Sequence, residues 1–133
     1  MKKVIIVSGS VLLIICVVII TLNIIATKNE KRHYDSVKES AKEALIWYLN
    51  ASLEIKVDKE EARSGFTPFS FLVSKGYLKR EDIIDINNIN YCDGYLTYTI
   101  DNKELTCTNV FIKCDNYVSD NYDSNDVEHY YCN

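Results

Sequence analysis

Four cysteines in the last third of the chain carry its clearest chemical pattern. Cys92, Cys107, Cys114 and Cys132 form an even set in a sequence of 133 residues, which is typical of disulfides in an oxidising compartment. The close Cys-x-x-Cys pairs of zinc ribbons and thiol oxidoreductases are absent, which disfavours structural zinc and thiol redox catalysis. The fifth cysteine, Cys16, lies in an apolar stretch and is expected to behave as a small apolar residue.

Other chemistry-bearing residues are sparse. The two histidines, His33 and His129, have no nucleophile motif near them, and the four glycines form no phosphate-binding loop. We therefore expect no catalytic residue and no cofactor, and a protein that is not an enzyme.

An acidic tail is the remaining candidate for ligand binding. Its oxygen-bearing side chains are Asp120, Asn121, Asp123, Asn125 and Asp126. Calcium is the alternative that these oxygens leave open, but the spacing and central glycine of an EF-hand loop are missing. We interpret the tail as a solvated loop and predict no metal site.

The elements that position these residues begin with an uncharged apolar stretch, residues 4–26. A helix of that length spans roughly 34 Å, enough to cross a bilayer. The stretch is too long for the apolar part of a cleaved signal peptide, and Ile15 stands where lipoprotein processing before Cys16 needs a small residue. The sequence predicts an uncleaved, single-pass transmembrane helix after a short cytoplasmic tip, residues 1–3.

Charges beside this stretch leave its orientation almost undecided. Lys2 and Lys3 precede it, and Lys28, Lys31 and Arg32 follow it, so the positive-inside rule gives nearly a tie. The cysteine pattern favours an extracytoplasmic domain. A formal net charge of −4 and the lack of an arginine-rich stripe disfavour nucleic acid as a partner.

An amphipathic helix is predicted over residues 27–57, where there is neither glycine nor proline. Apolar side chains recur there at spacings of three and four, with Leu45 and Leu49 widening the stripe. We expect Trp47 to cover its edge. The helix is expected to pack on the chain's own sheet, with a coiled coil between protomers as the alternative. The residues of this packing stripe are Tyr34, Val37, Ala41, Ala44, Tyr48, Ala51 and Ile55.

A second, short helix is predicted in the small domain, residues 58–133. Asp58 to Glu61 have the form of a capping box, and Gly65 is expected to end the turn that they start. Thr67 followed by Pro68 predicts a helix N-cap and first turn, and Gly76 is the expected stop. A further helical turn is predicted over residues 80–85.

The side-chain pattern then changes to a period of two residues, in which alternate side chains share a face, and this predicts a β-hairpin. Residues 95–100 and 105–113 are its strands and residues 101–103 its turn. With Asn102 and Lys103 at the centre of the turn, Cys92 lies within one position of facing Cys114.

We therefore predict a Cys92–Cys114 bridge across the open end of the hairpin, and a Cys107–Cys132 bridge that holds the tail. Four cysteines allow three pairings, and hairpin geometry alone favours this one. The predicted fold class is α+β: an N-terminal transmembrane helix runs into an amphipathic helix, which packs on a small antiparallel, disulfide-bearing β-sheet.

This order of elements resembles that of type IV pilin-like proteins, including minor pilins and pseudopilins. Four short motifs are similar to those of small anchored pilin-like proteins of Gram-positive bacteria: Phe66-Thr67-Pro68, Gly76-Tyr77-Leu78, Cys92-Asp93-Gly94-Tyr95 and Ile112-Lys113-Cys114. In that family a peptidase cuts after a glycine, and a glutamate follows at the fifth mature position. With Gly9 as the processing glycine, Ile14 stands at that position. The resemblance implies a pilin-like fold, or a minor subunit that dispenses with the glutamate.

We therefore expect a non-enzymatic, membrane-anchored extracytoplasmic protein of structure or assembly, as a pilin-like subunit of a bacterial surface or secretion apparatus. Its expected partners are the membrane and either other proteins or further copies of the chain. The alternative is a stand-alone tethered binding module whose tyrosine-bearing acidic tail recognises an envelope component or a protein partner.

Overall fold

A computed structural model describes residues 2–52, 62–123 and 125, with side chains from residue 11 onward. The fold class is α+β, as predicted. In chain order the elements are helix α1 (Lys2–Ala51), strand β1 (Arg63–Pro68), helix α2 (Phe69–Ser74), a 3-10 turn (Arg80–Ile83) and strands β2 (Asp93–Asp101) and β3 (Glu104–Lys113). By its contacts the chain divides into two units, Met1–Tyr34 and Asp35–Asn133.

The first unit is helical throughout its described residues. It contains the whole stretch, residues 4–26, that the sequence marks as a membrane span, and α1 continues through it without interruption. The predicted helix over residues 27–57 belongs to this same element as far as Ala51. Ile55 and the predicted capping box lie outside the described residues.

The second unit is built on a three-stranded antiparallel sheet in the order β1-β2-β3. The predicted hairpin is confirmed, and its turn is centred on Asn102 and Lys103. Both residues have positive φ, 49° and 68°, as a type I′ turn requires. In the order β1-β2-β3, β2 is the central strand, and its residues are mostly buried on both faces of the sheet.

A β-bulge beside the turn decides the register of the rest of the hairpin. The register shifts between Thr99 and Ile100, and beyond the shift Asp93 pairs with Lys113. Because the shift is one residue, the next position places Cys92 opposite Cys114. The sequence prediction, without the bulge, was one position away.

Strand β1 was not predicted. Gly65 was expected to end a turn and Thr67 to cap a helix, and both expectations are wrong: they pair with Tyr98 and Leu96 in the sheet. Pro68 occupies the N-cap of α2 instead, with no side-chain cap. The strand is favoured because edge pairing with β2 satisfies its backbone and buries the Thr67 side chain.

The short helix and its stop are confirmed. α2 ends at Ser74, and Gly76 follows with φ of 79°, the left-handed conformation that favours glycine at a helix C-terminus. The Tyr77 and Leu78 N–H groups both donate to the Leu72 carbonyl. The additional predicted turn is the 3-10 turn that ends at Ile83.

The part of α1 in the second unit buries one side in the domain. Val37, Ala41, Leu45 and Leu49 are almost completely buried. The Tyr48 ring makes edge contacts with Phe71 of α2 and with Tyr77, at centroid distances of 5.2 and 5.6 Å. These contacts show that the helix forms part of the domain interior.

The opposite face of the sheet from Leu96 carries an aromatic cluster. The Tyr95 ring stacks on Phe111 at 4.9 Å and contacts Phe66 and Tyr122 at 5.4 Å each. The Tyr95 hydroxyl donates to the Asp123 carbonyl and accepts from its N–H, at 2.9 and 3.0 Å. The start of the tail therefore lies over this face, as predicted for an irregular loop.

Trp47 differs from the expectation that it covers the edge of the stripe. Its side chain is 71% exposed. Leu45 and Leu49 are fully buried. The buried side of α1 is therefore centred closer to these two leucines than the predicted packing stripe indicated. That rotation leaves Trp47 on the solvent side.

Replacing Leu45 by alanine should destabilise the domain. Deleting a fully buried leucine side chain costs about 2–5 kcal/mol of unfolding free energy through lost burial and the remaining cavity. Urea unfolding of the detergent-solubilised chain measures the change. Trp47→Ala is the matched control on the exposed side of the same helix and should change the free energy by no more than about 0.5 kcal/mol. Equal effects of the two substitutions would contradict the packing described above.

Candidate functional site

The apolar stretch of α1 is the largest candidate interaction surface. The described part of α1 contains a window with mean hydropathy of 2.6 of which none is buried. A core helix of a soluble protein would be mostly buried, so this segment is not one. Its large side chains, from Val11 to Ile25, are about half or more exposed. One helix near the N-terminus is therefore long and apolar enough to span a membrane.

Polar side chains within this stretch are bonded to their own helix. The Thr21 hydroxyl donates to the Val17 carbonyl at 2.6 Å, and the Thr27 hydroxyl donates to the Asn23 carbonyl at 2.6 Å. In hydrocarbon, which offers no hydrogen-bond partner, such bonds remove the main penalty of a hydroxyl. The two threonines are compatible with a membrane environment.

A second candidate site lies at the open end of the hairpin, where the predicted Cys92–Cys114 disulfide is confirmed. Its two Cα atoms are 4.3 Å apart, and both cysteines are buried. Cys107 is also disulfide-bonded, and its predicted partner, Cys132, lies outside the described residues. Cys16 is free and exposed in the apolar stretch.

A buried carboxylate, Asp85, lies against this disulfide. A carboxylate oxygen of Asp85 and the two cysteine sulfurs are all within 4.8 Å of one another. One carboxylate oxygen accepts the Ile86 N–H at 2.7 Å, and the other accepts the Asp115 N–H at 3.0 Å. Asp85 therefore joins the loop before β2 to the segment after β3.

A second carboxylate makes the same connection at the surface. The Asn87 and Asn90 side-chain amides donate to one oxygen of Asp115, at 3.0 and 2.7 Å. These hydrogen bonds, the Asn90 bond first, lower the pKa of the Asp115 carboxyl below its usual value, against a small opposing effect of desolvation. The ionised form of Asp115 thus binds the loop.

A groove of about 420 Å³ lies beside the disulfide. Its lining residues are Phe69, Ser70, Val73, Ser74, Arg80, Ile83, Tyr91, Cys92 and Asp93. The Arg80 guanidinium lies over the Tyr91 ring, 5.9 Å from its centroid. The arrangement is a mainly apolar depression whose lining includes one cation, Arg80, and one anion, Asp93.

The described residues do not offer a free metal centre. Within them, the only close group of three metal-ligating side chains is Asp85, Cys92 and Cys114, and its sulfurs are bonded to each other rather than available as thiolates. In the acidic tail, the Asp123 carboxylate accepts the Asn125 N–H at 2.9 Å. Asp126 lies outside the described residues.

The predicted packing stripe is brought together over most of its length. Tyr34, Val37, Ala41 and Ala44 are buried and Tyr48 is half-buried, whereas Ala51 is exposed. Of the two histidines, His33 makes an edge contact with Tyr34 at 5.3 Å, and His129 lies outside the described residues.

The tail tyrosines are engaged within the second unit. The Lys38 amine donates to the Tyr117 hydroxyl at 3.2 Å and lies 5.5 Å from the centre of that ring. Burial, and after it the charge of Asp93, raises the pKa of the Tyr122 hydroxyl. The hydroxyl of Tyr122 therefore stays protonated at neutral pH.

Sequence reasoning missed Asp85 and the loop that it organises. The signal available was the run of turn-forming residues from Asp85 to Asn90, in which Asn88 adopts a positive φ of 55°. Asp85 was instead expected at the end of a helical turn, and no role was assigned to residues 86–90. The carboxylate and amides of this run connect two loops that are adjacent only in the folded domain.

Comparison of the chain with protein-family models, curated proteins and solved structures finds no match.

Removing the Asp115 carboxylate should change how stability depends on pH. The pKa of Asp115 is lower in the folded chain than the usual 3.8, so its stabilising contribution is present above that value and is lost as pH falls through the folded-state pKa. We expect wild type and Asp115→Asn to differ in unfolding free energy at pH 6 and to converge as the pH falls through the folded-state pKa, below 3.8. Urea unfolding across this range measures the difference, and Asp82→Asn controls for net charge. A constant difference at all pH values would contradict the prediction.

Proposed function

We propose that the protein is a non-enzymatic, membrane-anchored protein of structure or assembly whose α+β domain lies on the extracytoplasmic side. The observation that carries the proposal is the exposed apolar surface of α1. Twelve large apolar side chains between Val11 and Ile25 are exposed, and soluble proteins rarely expose contiguous apolar patches of more than a few hundred Å². A bilayer or neighbouring apolar helices would cover this surface.

The disulfide chemistry supports the proposed side of the membrane. Cys92–Cys114 is oxidised and Cys107 is disulfide-bonded. Disulfides persist in extracytoplasmic compartments and are rare in the cytosol. These bonds support an extracytoplasmic domain.

Self-assembly would have to use other surfaces than the buried stripe. Val37, Ala41 and Leu45 are already buried in a single copy, so they are not available to a second one. The apolar surface between Val11 and Ile25 remains for contacts between helices, in the manner of a pilin-like subunit of a bacterial surface or secretion apparatus. The order of a long apolar helix followed by a small antiparallel sheet supports this assignment.

A tethered binding module is the second candidate, and the groove beside Arg80 favours it. The groove has an apolar lining and a volume in the range of small-molecule sites, about 300–1,000 Å³. The tail tyrosines first suggested for this role, Tyr117 and Tyr122, already contact Lys38 and Tyr95. The groove is therefore the better candidate for a ligand.

A charge placed in the apolar stretch should impair membrane insertion. Ile15→Arg puts a guanidinium near the centre of the span, which costs about 2.5–3.5 kcal/mol of apparent insertion free energy. We expect a larger fraction of the chain to be extracted from membranes by alkaline carbonate. Ile46→Arg is the matched control, because Ile46 is an exposed isoleucine of the same helix beyond the span. Equal extraction of both variants would count against the anchor.

Labelling tests the side of the membrane that both candidates require, and mature-terminus analysis distinguishes the two candidates. A membrane-impermeant amine reagent on intact cells should modify lysines of the domain such as Lys75 and Lys79, which are exposed. Labelling confined to the amino-terminal tip would place the domain in the cytoplasm. A mature chain that begins at Ser10 and co-purifies with further copies supports the pilin-like subunit. An intact Met1 with no assembly partners supports the tethered binding module.

A further inference from the structure

We propose that the buried Asp85 carboxylate protects the Cys92–Cys114 disulfide from reduction by thiols. Asp85 is completely buried, and the two cysteines are 3% and 7% exposed. Its carboxylate oxygen and both sulfurs lie within 4.8 Å of one another. The proposal concerns the chemistry of this bond and does not depend on the function proposed above.

The reaction that Asp85 would oppose is thiol–disulfide exchange. A thiolate attacks one cysteine sulfur, the sulfur–sulfur bond breaks, and the other cysteine leaves as a thiolate. With a dithiol reductant, the second thiolate attacks the mixed disulfide and releases the second cysteine. The dithiol loses two electrons and becomes a disulfide, and the two cysteine thiolates take up the two protons that the reductant gave up.

A carboxylate beside the bond opposes this reaction at two points. It repels the incoming thiolate, and it disfavours the negative charge that develops on the leaving sulfur. Both effects are strong here because the groups are buried, where charges are poorly screened. The backbone N–H groups of Ile86 and Asp115 donate to its two oxygens, which is how a protein holds an ionised carboxylate.

Other charges near the disulfide are at the surface. Asp93 and Asp115 follow the two cysteines in sequence and are exposed, as are Lys113 and Arg80. Arg80 and Asp93 line the same groove as Cys92, so the groove is the route by which a small thiol reaches the bond. The exposed charges are of both signs and are screened by solvent. The Asp85 carboxylate is buried, so solvent screens its charge much less.

Reduction kinetics of the Asp85→Asn variant test the proposal. Asparagine keeps the size of the side chain and one acceptor oxygen but removes the charge. We expect the second-order rate constant for opening of Cys92–Cys114 by dithiothreitol at pH 8 to rise about tenfold or more. Mass spectrometry of alkylated peptides assigns the rate to this bond. Asp82→Asn, which removes an exposed carboxylate, should leave the rate unchanged. An unchanged rate in Asp85→Asn would overturn the proposal.

The charge of the attacking thiol separates an electrostatic effect from a loosened structure. In wild type, cationic cysteamine should open the bond faster than anionic 3-mercaptopropionate after each rate is corrected for thiolate concentration and divided by the rate of the same thiolate with a small uncharged disulfide, and Asp85→Asn should lower this ratio severalfold. A variant that is only less stable would react faster with both reagents and keep the ratio. That result would overturn the proposal.

A second variant keeps the proposal testable if Asp85→Asn does not fold. The double substitution Asp93→Asn and Asp115→Asn removes the exposed carboxylates beside the cysteines and retains Asp85. The cysteamine to 3-mercaptopropionate ratio should stay close to that of wild type. A ratio near one in this variant would assign the discrimination to the exposed charges and overturn the role of Asp85.

Discussion

Pairing between β2 and β3 is the interaction on which the domain depends. The type I′ turn fixes one end of the hairpin, and the Cys92–Cys114 bridge closes the other. β1 pairs with the free edge of β2, and α2 packs on both of these strands. A bridge that closes a loop as long as that between Cys92 and Cys114 restricts the unfolded chain. In the chain-entropy model this stabilises the folded chain by roughly 3 kcal/mol.

Both faces of this small sheet have to be covered. On one face, a methyl group at Gly94 would clash with the Phe69 ring, which shows how closely α2 lies. On the other, the aromatic cluster around Tyr95 is covered by the tail through Tyr122 and Asp123. A small domain buries a small share of its surface. Packing of α2 and of the tail on the two faces of the sheet, together with the disulfides, compensates for this small buried share.

The loops at the open, disulfide-bonded end of the hairpin are held by polar groups rather than by apolar packing. Asp85 and Asp115 each accept hydrogen bonds from the opposite segment. Such contacts satisfy backbone N–H groups that no strand reaches. They also hold the negatively charged Asp85 carboxylate next to the two sulfurs. The same hydrogen bonds therefore shape the loops and affect the chemistry of the Cys92–Cys114 bond.

The sequence by itself determined the apolar span, the amphipathic helix, the hairpin and the cysteine pair that closes it. Each follows from short-range periodicity and turn residues, which act along the chain before any tertiary contact. Only the tertiary structure decided that Thr67 lies in a strand, that Trp47 is exposed and that Asp85 is buried against sulfur. In each case the deciding partner is distant in sequence: β2 for Thr67, the residues such as Phe71 and Tyr77 that pack on the other side of α1 for Trp47, and Cys114 for Asp85. Local pattern cannot specify such partners, because which segments become neighbours is settled by the packing of the whole domain.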